Sequence, residues 1–212
     1  TPTRQSSAAS DVYKRQVQAF LNTVLAAAVG MLAWMAVEWT RDGNPTVLGA
    51  CSGAVAGLVA ITPAAGFVGG LSPLVFGLVA GVGCYAAVQL KSRLGYDDSL
   101  DVVGVHMVGG LIGGFLLGFF ADPAATGDSF EQLGVFFGGA DIFAPESVLL
   151  DQVLSMAITL AFSFVVTFGL VKVLDATIGL RASDEDETIG LDQTEHAETA
   201  YHLSESSSFG GA

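Results

Sequence analysis

Residues 97–121 read DDSLDVVGVHMVGGLIGGFLLGFFA, and this stretch decides the fold class. After Asp101 no Asp, Glu, Lys or Arg appears until Asp122. The apolar residues do not leave a polar stripe at helical spacing, so an amphipathic helix of a soluble bundle is a poor description. A hydrocarbon core about 30 Å thick needs around 20 apolar helical residues. Residues 102–121 meet that requirement, with one histidine, His106, inside them.

Working outward, four further segments have the same character: 17–39, 45–61, 68–90 and 148–174, of which 45–61 is the shortest. Only 14% of the 212 residues are charged, well below the roughly 25% of soluble domains. The sequence therefore predicts an all-α, polytopic membrane helix bundle with five transmembrane helices. Residues 1–16 are polar, carry Arg4, Lys14 and Arg15, and lack the pattern of a signal peptide. They read as a non-native leader, which leaves 17–178 as the membrane region and 179–212 as an acidic tail.

Loop charge gives the orientation. Beyond the leader, the basic residues are Arg41, Lys91, Arg93, Lys172 and Arg181. They fall on one side of a five-span arrangement, whereas 62–67 and 122–147 hold no Lys or Arg. The positive-inside rule makes the basic side cytoplasmic, with the C-terminus on it. The expected location is the cell membrane. The net charge of −13 and the absence of a basic patch exclude nucleic acid as a partner.

Glycines recur at spacings that suit close helix packing in lipid. They are Gly49, Gly53 and Gly57, then Gly77 and Gly81, then Gly110, Gly114 and Gly118 beside Gly109 and Gly113. Cys51 and Cys84 lie in apolar runs without metal spacing and read as small fillers. Residues 134–139, GVFFGG, are too short to span and read as a small interfacial helix or a loop. Residues 183–187, SDEDE, read as a solvated charge run, and 201–212 as disordered.

His106 is the residue with chemistry. It stands five positions past Asp101, about 7.5 Å along a helix axis. An ionisable side chain at that depth is costly and is a functional hypothesis by default. A neutral imidazole donates from one nitrogen and accepts at the other, so it can hydrogen-bond a small polar solute in a dry channel. The other reading is a core histidine bonded to a neighbouring helix carbonyl. Asp97, Asp98 and Asp101 precede the span, and helix capping is expected of at least two of them. Cation recruitment at the cytoplasmic mouth is the less favoured role. Pro63 is expected to end the second span after Thr62. No catalytic Ser/His/Asp or Cys/His arrangement, phosphate-binding loop, cofactor motif or metal spacing is present, so neither an enzyme nor a cofactor is expected. His196 and His202 lie in the polar tail and read as solvated.

Three stretches resemble the ammonium transporter family: 45–66 (PTVLGACSGAVAGLVAITPAAG), 97–110 (DDSLDVVGVHMVGG), and the tail segments 178–181 (IGLR) and 190–192 (GLD). The resemblance runs over about 18–202. It implies the second half of the ammonium transporter fold, spans seven to eleven, with the first six spans not present in this sequence. It implies ammonium recruited outside, deprotonated, and passed as ammonia through a hydrophobic pore lined by paired histidines. His106 resembles the second of that pair, Asp98 the acid eight residues before it, Val102 a pore-wall position, and Thr62 the threonine of the family's TPA motif; Asp101 lends structural support. Gly179, Leu180, Arg181, Gly190, Leu191 and Asp192 resemble the tail that contacts a PII-type regulatory protein. A homotrimer is implied for a full-length protein. The alternatives are an ammonium sensor signalling through the tail, or an inactive truncated membrane segment.

Overall fold

Thr46 opens one helix and Pro63 closes it. The Thr46 hydroxyl accepts the Gly49 amide at 2.8 Å, which caps α2 (Val47–Ile61). The helix stops at Thr62, whose hydroxyl donates back to the Leu58 carbonyl at 2.6 Å, ahead of the proline. At 15 residues α2 is about 22 Å long, too short to cross alone. The structure, a computed structural model, describes residues 4–126, 133–138 and 147–199, with side chains from residue 12 onward. Among the described residues four helices are long and apolar enough to cross a membrane, and α2 is a shorter apolar helix beside them.

The other elements follow the same local logic. Helix α1 (Arg4–Asp42) runs unbroken through the polar leader, so 4–16 belong to the same helix as the first apolar span. Helix α3 (Ser72–Leu94) carries Pro73 in its first turn and ends at Gly95, whose φ of 70° supplies the left-handed cap. A π-helical segment (Val102–Met107) then leads straight into α4 (Val108–Phe120). Single turns α5 (Pro123–Thr126) and α6 (Val135–Gly138) precede α7 (Val148–Thr177). Helix α6 realises the small helix read at 134–139, except that Gly139 lies outside the described residues. No strand occurs among the described residues; Leu133 and Ser147 form an isolated parallel bridge.

The chain divides into two compact units, 1–159 and 160–212. In the first, α1 is gripped on two sides by the glycine ladders. A Cβ on Gly53 would collide with Trp34 and the Gly30 carbonyl, and one on Gly57 with the Ala26 carbonyl. From α3, Gly77 and Gly81 meet the backbones of Ala26 and Gly30. Gly30 itself is the central partner. Lipid offers no hydrophobic drive between helices, so such backbone contact supplies the packing energy. Gly113 closes α4 onto the Ala60 backbone, and Gly118 onto Leu149 of α7, whereas Gly110 faces open space.

Two buried clusters result. One gathers Ala26, Ile61, Ala64, Val68, Phe76, Leu117, Ala121 and Val148. The other, toward the end bearing Arg41, Lys91 and Arg93, gathers Trp34, Ala56, Ala60, Ala80, Cys84, Tyr85 and Val105. In the second unit, 183–187 are not merely a solvated run. The Ser183 hydroxyl caps α8 (Asp184–Ile189) by accepting the Asp186 amide at 3.1 Å, and the four acids complement the helix dipole. Gly190, at φ 111°, separates α8 from α9 (Leu191–Thr194). Arg181 pairs with Glu187 at 3.5 Å on the surface. His202 and 201–212 lie outside the described residues.

Candidate functional site: an open stripe carrying one imidazole

The approach to His106 is built by the turn between α3 and α4. The two carboxylate oxygens of Asp98 accept the amides of Val102 and Val103 at 2.8 and 2.9 Å. Free amides at a helix start are thereby satisfied by one acid. Capping by two or more of the three acids was expected, and here the structure differs. Asp101 adopts the left-handed conformation (φ 56°, ψ 29°), makes no side-chain cap, and pairs instead with Lys91. Its backbone carbonyl accepts the Val105 amide at 2.8 Å. Asp97 is exposed and lines a shallow cleft of about 410 Å³ with Lys91, Ser92, Gly95, Tyr96, Asp98 and Ser99.

The segment that follows has the wide π geometry, with the Val108 amide reaching the Val103 carbonyl. Single π turns inside helices occur often at functional sites, because the extra residue re-aims the side chains that follow. Its buried side rests on α3. A Cβ on Gly104 would collide with Val88, Val105 is 4% exposed, and the Cys84 thiol donates to the Val105 carbonyl at 3.7 Å. Its opposite side is uncovered. Val102 is 51% exposed, and His106 is exposed too. With Gly110, which has nothing within 4 Å of a built Cβ, they form a stripe at four-residue spacing. Among the described residues none hydrogen-bonds the His106 ring, so it is not a core histidine held by a helix carbonyl.

Thr62 is exposed at the far end of α2, where Val55 and Leu58 continue a second open stripe. Helices α2 and α4 pack with Gly109 against Val59 and Gly113 against Ala60. Thr62 therefore stands about 10 Å or more along the axis from His106, and the two side chains are not brought together. The tail residues Gly179, Leu180, Arg181, Gly190, Leu191 and Asp192 lie in the second unit, where Gly179 has φ 73° and Leu180 and Arg181 are exposed. Among the described residues no group of three or more His, Cys, Asp or Glu side chains is placed to hold a metal ion.

Sequence reasoning missed two polar clamps. Asn22, in the middle of α1 and 3% exposed, donates to the carbonyls of Ala65 and Val68, each at 2.8 Å. Gln18 one turn earlier donates to Val68 as well, at 2.6 Å. Together they hold the loop after Pro63. At the other end of α1, the Glu38 carboxylate accepts the Thr46 amide at 2.8 Å and the Trp34 indole N–H at 3.2 Å, tying α1 to the start of α2. A lone Asn or Glu in an otherwise apolar span was the available signal.

Comparison with known proteins assigns the family. Residues 5–201 match the Ammonium Transporter Family. The chain is 48% identical over 185 residues to an ammonium transporter of Mycobacterium bovis, covering 86% of this chain and 38% of that protein. It is 44% identical over 184 residues to the ammonium transporter of Bacillus subtilis, covering 86% of this chain and 44% of that one. The crystal structure of Saccharomyces cerevisiae Mep2 superposes with a TM-score of 0.69 at 40% identity, covering 81% of this chain and 38% of Mep2. The chain thus spans well under half the length of these relatives. It is an all-α, multi-pass membrane chain of a transporter family rather than a family of enzymes, and it belongs to the Ammonium Transporter Family.

Proposed function

We propose that this chain supplies one wall of a path that moves ammonium across the cell membrane, carried past His106 as neutral ammonia with its proton travelling separately. The observation that carries this reading is an exposed imidazole, without a hydrogen-bond partner among the described residues, on an otherwise apolar, uncovered stripe. An ammonium ion that keeps its proton pays heavily to enter a narrow dry path, and neutral ammonia does not. A neutral imidazole offers ammonia both a donor and an acceptor. Val102 shapes the wall beside His106, Thr62 stands toward the opposite end, and Asp98 and Asp101 set the start of the helix.

In this reading the exposed stripe is covered by the further spans that the relatives' greater length provides. The full-length assembly is a homotrimer in lipid with one path per subunit. The tail faces the cytoplasm, and Gly179 to Arg181 with Gly190 to Asp192 form the surface for a PII-type regulatory protein. The test is a chimera in which residues 17–199 replace the matching segment of the Bacillus subtilis relative. The chimera is expected to take up methylammonium in an uptake-deficient host, while this chain alone in liposomes gives no uptake above empty vesicles. A correctly inserted chimera with no uptake would overturn the proposal.

A further inference from the structure

The turn that presents His106 is tied down from α3 by one side chain. Lys91, in the last turn of α3, donates to the Asp98 carbonyl at 2.9 Å and pairs with the Asp101 carboxylate. Asp98 is the residue whose carboxylate holds the Val102 and Val103 amides. Asp101 is the residue held in the left-handed region, which side chains other than glycine rarely adopt. Both anchor points of Lys91 thus lie in the few residues that determine how the π-helical segment begins.

We propose that Lys91 is a positioning residue for the conduction path: it locks the Asp98–Asp101 turn so that the segment starts wide and directs His106 to the open stripe. This inference rests on reading His106 as a path-lining residue. The physical argument is one of compensation. A strained left-handed aspartate persists only where its surroundings over-determine it. Here the lysine supplies a cation for the Asp101 carboxylate and a donor for the Asp98 carbonyl at once. Remove the ammonium group and Asp101 relaxes toward ordinary helical backbone. The helix then starts with regular turns, and every side chain after it, His106 included, is rotated about the axis. Arg93, two residues on, is exposed and does not replace it.

The test separates the lock from the path. Lys91→Met keeps most of the apolar stem and removes the donors. In this chain reconstituted in nanodiscs, hydrogen exchange of the 98–107 amides is expected to quicken at least tenfold in Lys91→Met, stay near the original rate in Lys91→Arg, and remain unchanged across α2. In the chimera, Lys91→Met is expected to lower the maximal methylammonium uptake rate about tenfold with KM changed less than twofold. Lys91→Arg should recover most of it. The double variant Lys91→Met/Asp101→Asn should be no worse than the more impaired single variant, because both remove one shared interaction. Unchanged exchange in Lys91→Met would overturn the lock whatever the transport result. Quickened exchange with unaltered uptake would overturn the positioning role. An unmodified chimera without uptake would count against the path itself, while the exchange measurement would still decide the lock.

Discussion

The Asp98 carboxylate accepts the Val102 amide at 2.8 Å, and so joins the loop after α3 to the first residue of the stripe that carries His106. The same acid takes the Val103 amide, so one side chain fixes two consecutive donors. Asp98→Asn keeps one acceptor oxygen and one cap bond. Asp98→Ala keeps neither, and a lost cap costs about 1 kcal/mol, more where the freed amides are shielded from water. Uptake in the chimera should therefore fall in the order native, Asn, Ala. Equal activity of native and Ala forms would show that the cap is dispensable.

Asn22 gives a stability prediction. Its side chain is the buried tie between α1 and the loop after Pro63. Asn22→Leu removes two hydrogen bonds and leaves the Ala65 carbonyl without that donor, a loss of roughly 1–3 kcal/mol. Thermal unfolding in detergent should shift clearly downward. An unshifted transition would mean that the loop finds other donors at no cost.

Gly57 gives a packing prediction. It meets the Ala26 backbone of α1 closely enough that any side chain must push the helices apart. Gly57→Leu should lower stability by about 3 kcal/mol or more and reduce the folded yield in membranes. Gly110→Leu serves as the control, since a Cβ there meets nothing. Its folded yield should match that of the native chain.

The two cysteines should separate by reactivity. Cys51 is exposed on α2, and Cys84 is buried between α3 and the π-helical segment. In mild detergent a small maleimide should modify Cys51 well before Cys84, and after denaturation both should react alike. Early labelling of Cys84 would contradict the described seating of Val105.

Much of this architecture is legible in the sequence, because apolar length and glycine spacing are properties of single segments. The end of α2 followed from Pro63, whereas the Thr46 cap of α2 and the Gly95 end of α3 obey equally local rules that the sequence reading passed over. What stayed hidden depends on pairs distant in the chain. Gly30 showed no ladder of its own, yet Gly53, Gly77 and Gly81 all close on it. The π-helical segment at Val102–Met107 begins beside ties that join Lys91, Asp98 and Asp101, and an acid in the left-handed region cannot be read from spacing. Three neighbouring aspartates looked alike as caps, but one caps, one pairs with lysine and one lines the surface cleft. The position of His106 in a span was readable; the open stripe it occupies was not, since that depends on what α2 and α3 leave uncovered.

The central claim is that the His106 ring lines the path. The most direct measurement is methylammonium uptake by the chimera carrying His106→Ala beside the unmodified chimera, with equal amounts in the membrane. At least a tenfold loss of uptake, or a marked loss of discrimination against potassium, is the expected result. Unaltered rate and selectivity in His106→Ala would contradict the account.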